Sequence, residues 1–151
     1  MLKLLISLGL MFSTLSFAAS TEPDHIMVKP DEIKWVDGPA SLPAGAKVTI
    51  LFGDPMAAAP FSMRLKFPDK YKIAPHFRTQ DENVTVISGE LLMAVGHDTT
   101  INMASLPAGG FARMKAGVHH FVNAKGETIV QINAVGPWEI NYVNPGDDPR
   151  N

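Results

Sequence analysis

Two histidines, an arginine and a glutamate have types and spacings that could form one chemical site. His76, Arg78 and Glu82 lie close together in the stretch PHFRTQDE, and His120 follows later in the stretch AGVHH. Two imidazoles and a carboxylate are ligands that Fe(II), Mn(II), Ni(II) and Zn(II) accept, with water completing the shell. Arg78 argues against a metal, because a guanidinium stays protonated, has no lone pair to donate and repels a nearby cation. Its fork could instead pair with Glu82 in a carboxylate–guanidinium bridge.

The other histidines carry weaker signals. His119 directly precedes His120, and neighbouring residues of a strand point to opposite faces of the sheet. One of the two therefore faces away from the interior. The motif spacing described below favours His120 as the inward residue, which leaves His119 a structural role. His97 lies in the polar turn GHDTT and His25 in a polar segment near the start of the chain, so we expect both to be solvated.

The elements that must position these side chains are strands. The segment FSMRLKF alternates strictly between apolar and polar residues, which is typical of a strand with one buried face. Short apolar segments separated by Gly, Pro and Asp continue along the chain, and no segment beyond residue 20 has a convincing helical period. The predicted strands are 33–36, 47–52, 61–67, 71–77, 83–88, 90–95, 110–114, 118–123, 127–135 and 138–143. The pattern predicts an all-β sandwich or barrel, with a core that includes Phe61, Phe67, Phe111 and Trp138.

The first eighteen residues have the order of a secretory signal peptide. Lys3 gives a positive start, residues 4–17 are apolar apart from Ser and Thr, and small residues precede the polar TEPDH. A membrane anchor is the alternative, but it needs about 20 apolar residues and this run is shorter. We therefore predict a periplasmic or secreted protein with no membrane association after cleavage. The predicted segments are a signal peptide 1–18, a flexible arm 19–32, a barrel 33–145 and a polar tail 146–151.

The composition limits the remaining classes of function. Hydrophobic residues make up 46% of the 151 residues and charged residues 19%, which is typical of a globular domain with a core. The net charge of -2 provides no basic surface for nucleic acid. Cysteine is missing from the sequence, so disulfides and a thiol nucleophile are excluded. We expect a single domain whose partner is a small molecule.

The stretch around His76 resembles the first of the two sequence motifs of the cupin superfamily, G-x5-H-x-H-x3-E-x6-G. The chain matches this motif at His76, Glu82 and Gly89. It departs from the motif at two positions, where Arg78 replaces the second histidine and Lys70 replaces the opening glycine.

The stretch around His120 is similar to the second motif, G-x5-P-x-G-x2-H-x3-N. It matches at Gly109, Gly117 and His120, whereas Lys115 replaces the proline and Ala124 the asparagine. The segments ENVTVISG and GPWEINYVNP add to the resemblance, which looks closest to small single-domain bacterial cupins. It spans roughly residues 45–144. It implies a double-stranded β-helix, the jelly-roll barrel of that superfamily, in a single domain.

The resemblance also carries two expectations about function. The family's metal ligands correspond to His76, Glu82 and His120, which would hold a divalent Fe, Mn, Ni or Zn ion for oxygenation, hydrolysis or isomerisation of a small molecule. The alternative is a metal-free binding or sensor cupin in which Arg78 replaces the ion and anchors an anionic ligand. No catalytic residue is assigned in either case. The family also leads us to expect a homodimer formed through sheet edges or the N-terminal segment 31–37.

Overall fold

The computed structural model describes residues 23–151 as a curled antiparallel sheet of nine strands. The strands are β1 (Val36–Asp37), β2 (Lys47–Phe52), β3 (Pro60–Phe67), β4 (Lys72–Phe77), β5 (Glu82–Val95), β6 (Ala104–Pro107), β7 (Phe111–Met114), β8 (His120–Val135) and β9 (Asn141–Tyr142). Two 3-10 turns, Pro30–Glu32 and Pro145–Asp147, are the helical segments of this part of the chain. Among residues 23–151, no helix has the length and apolar character needed to cross a membrane. The predicted signal peptide and the first residues of the predicted arm lie outside the described residues.

Two long strands organise the barrel. β5 and β8 pair along nearly their whole lengths, from Glu82 opposite Ala134 to Val95 opposite His120. The first half of β8 pairs with β4 and its second half with β3. Likewise, the first half of β5 pairs with β7 and its second half with β6. Because each long strand changes partner along its length, the sheet curls around one interior. The all-β prediction is confirmed, and the topology is that of a jelly roll.

A glycine in the middle of β5 permits the bend that this curling requires. Gly89 has a φ of 76°, and a Cβ at this position would lie 2.3 Å from the backbone oxygen of Glu127 and 2.6 Å from the hydroxyl of Thr128. The pairing of β5 with β8 shifts on both sides of Ser88, which is the irregularity that a bulge introduces. The sequence pattern predicted two strands, 83–88 and 90–95, because glycine was interpreted as a strand end.

The remaining differences also arise from turn residues and sheet edges. β6 was not predicted, since the segment SLPAG was interpreted as a turn, and β1 and β9 are shorter than the predicted 33–36 and 138–143. The expectation that Phe111 lies in the core is wrong, because its side chain is 59% exposed. Phe111 lies on β7, opposite Thr85 of β5. The next residue of β7, Ala112, packs against the core, so strand alternation turns Phe111 outward.

The interior of the barrel is mostly apolar. The strict alternation of β3 places Phe61, Met63, Leu65 and Phe67 inside, as the sequence predicts. Further core residues come from every long strand: Ile73, Val84, Val86, Leu91, Met93, Val122, Val130 and Ile132. The buried charged and imidazole side chains cluster together within this apolar shell, which is the region described next.

Candidate functional site

The two inward histidines face each other across neighbouring strands. His76 on β4 and His120 on β8 are cross-strand partners, and their ring centroids are 4.2 Å apart. His120 shares its face of β8 with the core residues Val122 and Ala124, as period-two alternation requires. The pairing of β4 with β8 shifts between Ile73 and His76, and this irregularity lets both Ile73 and His76 face the interior. Each histidine is 1% exposed.

Glu82, the first residue of β5, directs its two carboxylate oxygens to different partners. Oε1 accepts a hydrogen bond of 2.7 Å from the indole Nε1 of Trp138 and lies 3.3 Å from Nε of Arg78. Oε2 lies 3.7 Å from Nε2 of His120, which is too long for a direct hydrogen bond. The carboxylate is therefore held on one side and open on the other.

Arg78 points into the barrel, although it lies just beyond the end of β4. Its side chain is 4% exposed, and its guanidinium carbon lies 3.9 Å from the centroid of the Trp138 ring. Nη1 donates to the backbone oxygen of Glu139 at 3.3 Å. Nε lies beside the Glu82 carboxylate but is a buried donor without an aligned acceptor among the described residues. The bidentate bridge suggested by the sequence is thus a single-sided ion pair with Glu82, supported by a tryptophan face.

The two imidazoles have the same tautomer. Nδ1 of His76 is 2.9 Å from the backbone oxygen of Ala74, and Nδ1 of His120 is 3.0 Å from that of Val118. A carbonyl oxygen can only accept, so Nδ1 carries the proton in both rings. Nε2 of each neutral ring is then an acceptor. Within residues 23–151, neither Nε2 atom has a hydrogen-bond partner.

Electrostatics keep this cluster balanced at neutral pH. Burial raises the pKa of Glu82, but the charge of Arg78 and the hydrogen bond from Trp138 lower it, and the net result is a pKa of about 2. Burial, the charge of Arg78 and the neighbouring His120 lower the pKa of His76 to about 3. Burial also lowers the pKa of Arg78 while Glu82 raises it, and a guanidinium stays protonated in either case. The site thus holds one negative charge, one positive charge and an uncharged His76.

These polar groups line a small, partly open cavity. Its free volume is about 30 Å³, which is enough for about two water molecules. The other lining residues are apolar: Leu65, Phe67, Ile73, Val84, Leu91, Met93, Val122, Val130 and Ile132. As the site stands, its interior admits a group of hydroxyl size.

The four polar residues do not fit a resident metal in their present arrangement. Nε2 of His76, Nε2 of His120 and a Glu82 oxygen are donor atoms that Fe, Mn, Ni or Zn accept. However, no three His, Asp or Glu side chains within residues 23–151 are arranged closely enough to hold an ion. Arg78 also places a permanent charge 3.3 Å from the one anionic ligand. A divalent ion would therefore add to an uncompensated positive charge in a buried site.

The structure brings together the four site residues that the sequence singled out and leaves the other histidines outside. His76, Arg78, Glu82 and His120 all line the cavity. His119 instead stacks on Phe77 at a centroid distance of 5.3 Å, in agreement with the expected outward orientation. Whether His76, Glu82 and His120 act as metal ligands stays a prediction.

Two residues of the segment that follows β8 were missed as parts of the site. Trp138 was expected to pack, with pocket lining as the alternative, and its indole nitrogen holds Glu82. Glu139 contributes its backbone oxygen to Arg78, a role that no side-chain pattern signals. The Gly-Pro before Trp138 indicated a bend, and that bend was the one available sign that the segment turns back toward the barrel.

The chain is similar to known proteins in structure only. No protein-family model matches it, and no curated protein matches it in sequence. An acetylacetone dioxygenase from Acinetobacter johnsonii superposes with a TM-score of 0.63 at 14% identity, covering 86% of this chain and 84% of that chain. The polyketide cyclase RemF from Streptomyces resistomycificus gives a TM-score of 0.64 at 15% identity, with 82% and 89% covered.

A third solved structure has the same overall form. An RmlC-like cupin from Shewanella frigidimarina superposes with a TM-score of 0.59 at 15% identity, covering 75% of this chain and 91% of that chain. Similarity at such low identity establishes a shared fold. The activities of these proteins do not follow from it.

Proposed function

Since the chain has the cupin fold, we propose that it binds a small molecule inside the barrel and does so without a resident metal ion. The observation that carries the proposal is the position of Arg78, which is buried and paired with Glu82. Arg78 supplies a fixed positive charge inside the barrel, and the Glu82 carboxylate beside it neutralises that charge. We assign the cavity a binding or sensor role.

The buried polar cluster itself supports a functional rather than a structural role. Four groups capable of ionisation sit in an apolar barrel, and one of their polar atoms, Nε of Arg78, is buried without a partner among the described residues. Leaving such an atom unpaired costs about 1–3 kcal/mol. Groups with strongly shifted pKa values in a cavity are typical of binding and catalytic sites. If the site had no ligand, a well-packed apolar core in its place would make the fold more stable.

A second candidate is the metal site in which His76, Glu82 and His120 bind Fe, Mn, Ni or Zn. The tautomer of the two histidines favours it, because both rings direct an unprotonated Nε2 toward the cavity side. An Nδ1–H bonded to a backbone carbonyl is also the usual support of a metal-bound imidazole. For this candidate, Arg78 would have to leave its present position beside Glu82.

Metal analysis of protein purified without a His tag separates the two candidates. We expect the wild type to contain far less than one equivalent of metal and to show no stoichiometric uptake of Fe(II), Mn(II), Ni(II) or Zn(II) by calorimetry. The variant Arg78→His, which restores a neutral ligand, is expected to gain uptake. Stoichiometric metal in the wild type that is lost in His120→Ala but kept in His119→Ala would overturn the proposal.

Binding itself is tested with a ligand screen against the metal-free protein. We expect small polar molecules to raise the thermal unfolding midpoint of the wild type, since a ligand that binds only the folded state stabilises it. The same molecules should have a much smaller effect on Glu82→Gln. His119→Ala is the matched control, because it removes an imidazole from the neighbouring position on the outer face. Equal responses of wild type and Glu82→Gln would show that the cavity is not the binding site.

A further inference from the structure

Resting on the proposed function, we infer that the site is selective for a neutral ligand that donates a hydrogen bond, with a hydroxyl group as the best fit. The inference follows from counting the donor and acceptor atoms that face the cavity. It differs from the anion anchor that the sequence suggested.

The acceptors of the site are open. With both rings neutral, Nε2 of His76 and Nε2 of His120 are acceptors, because Nδ1 of each ring donates to a backbone carbonyl. Oε2 of Glu82 is a third acceptor, 3.7 Å from Nε2 of His120. Two acceptors facing each other at this distance gain nothing from their contact, whereas a hydroxyl placed between them would donate its one hydrogen to either of them.

The donors of the site lie on the side held by the Arg78–Glu82 pair. Nη1 of Arg78 bonds to the backbone of Glu139, its Nε lies beside Glu82, and its flat face lies on the Trp138 ring. The indole N–H of Trp138 is used by Glu82. An anion in the cavity would meet these acceptors and the charge of Glu82, and the Arg78–Glu82 pair would leave the charge of the anion uncompensated. An unpaired acceptor facing an anion in a site of low dielectric is strongly unfavourable.

The charge balance distinguishes a neutral donor from a cation. Arg78 and Glu82 already neutralise each other, so an ammonium group would leave one uncompensated positive charge inside the barrel. A hydroxyl group adds no charge, and the free volume of about 30 Å³ accommodates its oxygen and one or two further heavy atoms. The apolar residues around the rest of the cavity favour a hydrocarbon body next to that hydroxyl.

Three probes of similar size test this inference: methanol, methylammonium and formate. They are added separately to the metal-free protein labelled with ¹⁵N-histidine, and long-range ¹⁵N–¹H spectra report each ring nitrogen. We expect methanol to shift Nε2 of His76 and His120 saturably, because a donor bonded to an imidazole nitrogen changes its shielding. Formate and methylammonium are expected to bind about tenfold more weakly or worse. His97 and His119, on the outer side, are internal controls in the same spectra.

Each outcome decides the inference. A stronger response to formate would assign the site to anions, and a stronger response to methylammonium would assign it to cations. No response to any probe, or an Nε2–H tautomer in the unliganded spectrum, would also overturn the inference. Failure of the proposed function is distinguishable, since it would appear as stoichiometric metal in the same samples. A crystal soaked with methanol would place the oxygen between His120 and Glu82 if the inference is correct.

Discussion

Removing the charge of Arg78 is the most direct perturbation of the site. Arg78→Met keeps a long apolar side chain over the Trp138 ring but leaves the Glu82 carboxylate buried without its cation. Trp138 then remains the one strong donor to that carboxylate among the described residues. We expect the free energy of unfolding at pH 7 to fall by about 3 kcal/mol, near the lower end of the range for breaking a buried ion pair.

The magnitude follows from the ionisation of Glu82. Its pKa is about 2 in the folded chain, against an ordinary value of 4.5. A gap of about 2.5 pH units corresponds to about 3 kcal/mol of stabilisation at neutral pH. In Arg78→Met the charge that lowers this pKa is gone and burial raises it, so Glu82 takes up a proton. Protonation of Glu82 limits the loss of unfolding free energy, and the lost cation–π contact with Trp138 adds roughly 1 kcal/mol to that loss.

Urea denaturation at pH 7 measures the effect, with Arg113→Met as the matched control. Arg113 pairs with Asp81 at 2.6 Å, but both side chains are about half exposed. This closer pair is expected to contribute only about 0–1 kcal/mol, because solvent screens it. The double variant of Arg78→Met with Glu82→Gln should recover most of the loss, since no buried charge is left.

The pH dependence of the stability gives an independent check, because its sign differs between the wild type and Arg78→Met. In the wild type, the contribution of ionised Glu82 is present above its ordinary pKa of 4.5 and is lost as pH falls toward 2. In Arg78→Met the folded pKa lies above the unfolded value, so this contribution is lost as pH rises above about 4.5. Equal losses in Arg78→Met and Arg113→Met at pH 7, with parallel pH profiles, would refute the buried-pair explanation.

Three further perturbations test other parts of the structure by urea denaturation. His76 has a folded pKa of about 3 against an ordinary 6.5, so the wild type should lose stability as pH falls from 6.5 toward 3. An equally steep loss of stability in His76→Gln would show that His76 is not its cause. Trp138→Phe keeps an aromatic face but removes the donor to Glu82, and a loss of about 1–3 kcal/mol is expected; an unchanged midpoint would show that the hydrogen bond is unimportant. Gly89→Ala should cost at least about 1–2 kcal/mol, because of the positive φ and the backbone contact at 2.3 Å. Gly96→Ala, with a φ of 105° and open space, is its control. Equal losses at the two glycines would show that the close approach is not limiting.

The fold was predictable from the sequence because its signals are local and repeated. Period-two alternation in β3 identifies the buried face directly, and the bounds of β2, Lys47–Phe52, agree with the predicted 47–52. Glycine is the residue that misled the interpretation. Gly89 lies inside a strand with a positive φ, and a pattern of residue types does not distinguish a glycine that bends a strand from one that ends it.

Spacing also brought the site residues together, but it could not define their chemistry. Residues two apart in a strand share a face, so His76 and Arg78 could be expected to point inward together. The contacts that decide what Arg78 does come from Trp138 and Glu139, which are distant in sequence and lie in an irregular segment without a periodic signal. Tertiary contacts of this kind leave no trace in local spacing.

The substitution of arginine for a ligand has a different meaning once these contacts are included. An isolated guanidinium would repel a metal ion and attract an anion, which are the two alternatives that the sequence offered. Paired with Glu82 and covered by Trp138, Arg78 is part of an ion pair without net charge, in which Glu82 also accepts the indole N–H of Trp138. What remains open is a set of acceptors on His76, His120 and Glu82. Because buried hydrogen-bonding groups require complementary partners, we expect the ligand to bring a donor, and its identity is better sought among small alcohols than among anions or metal ions.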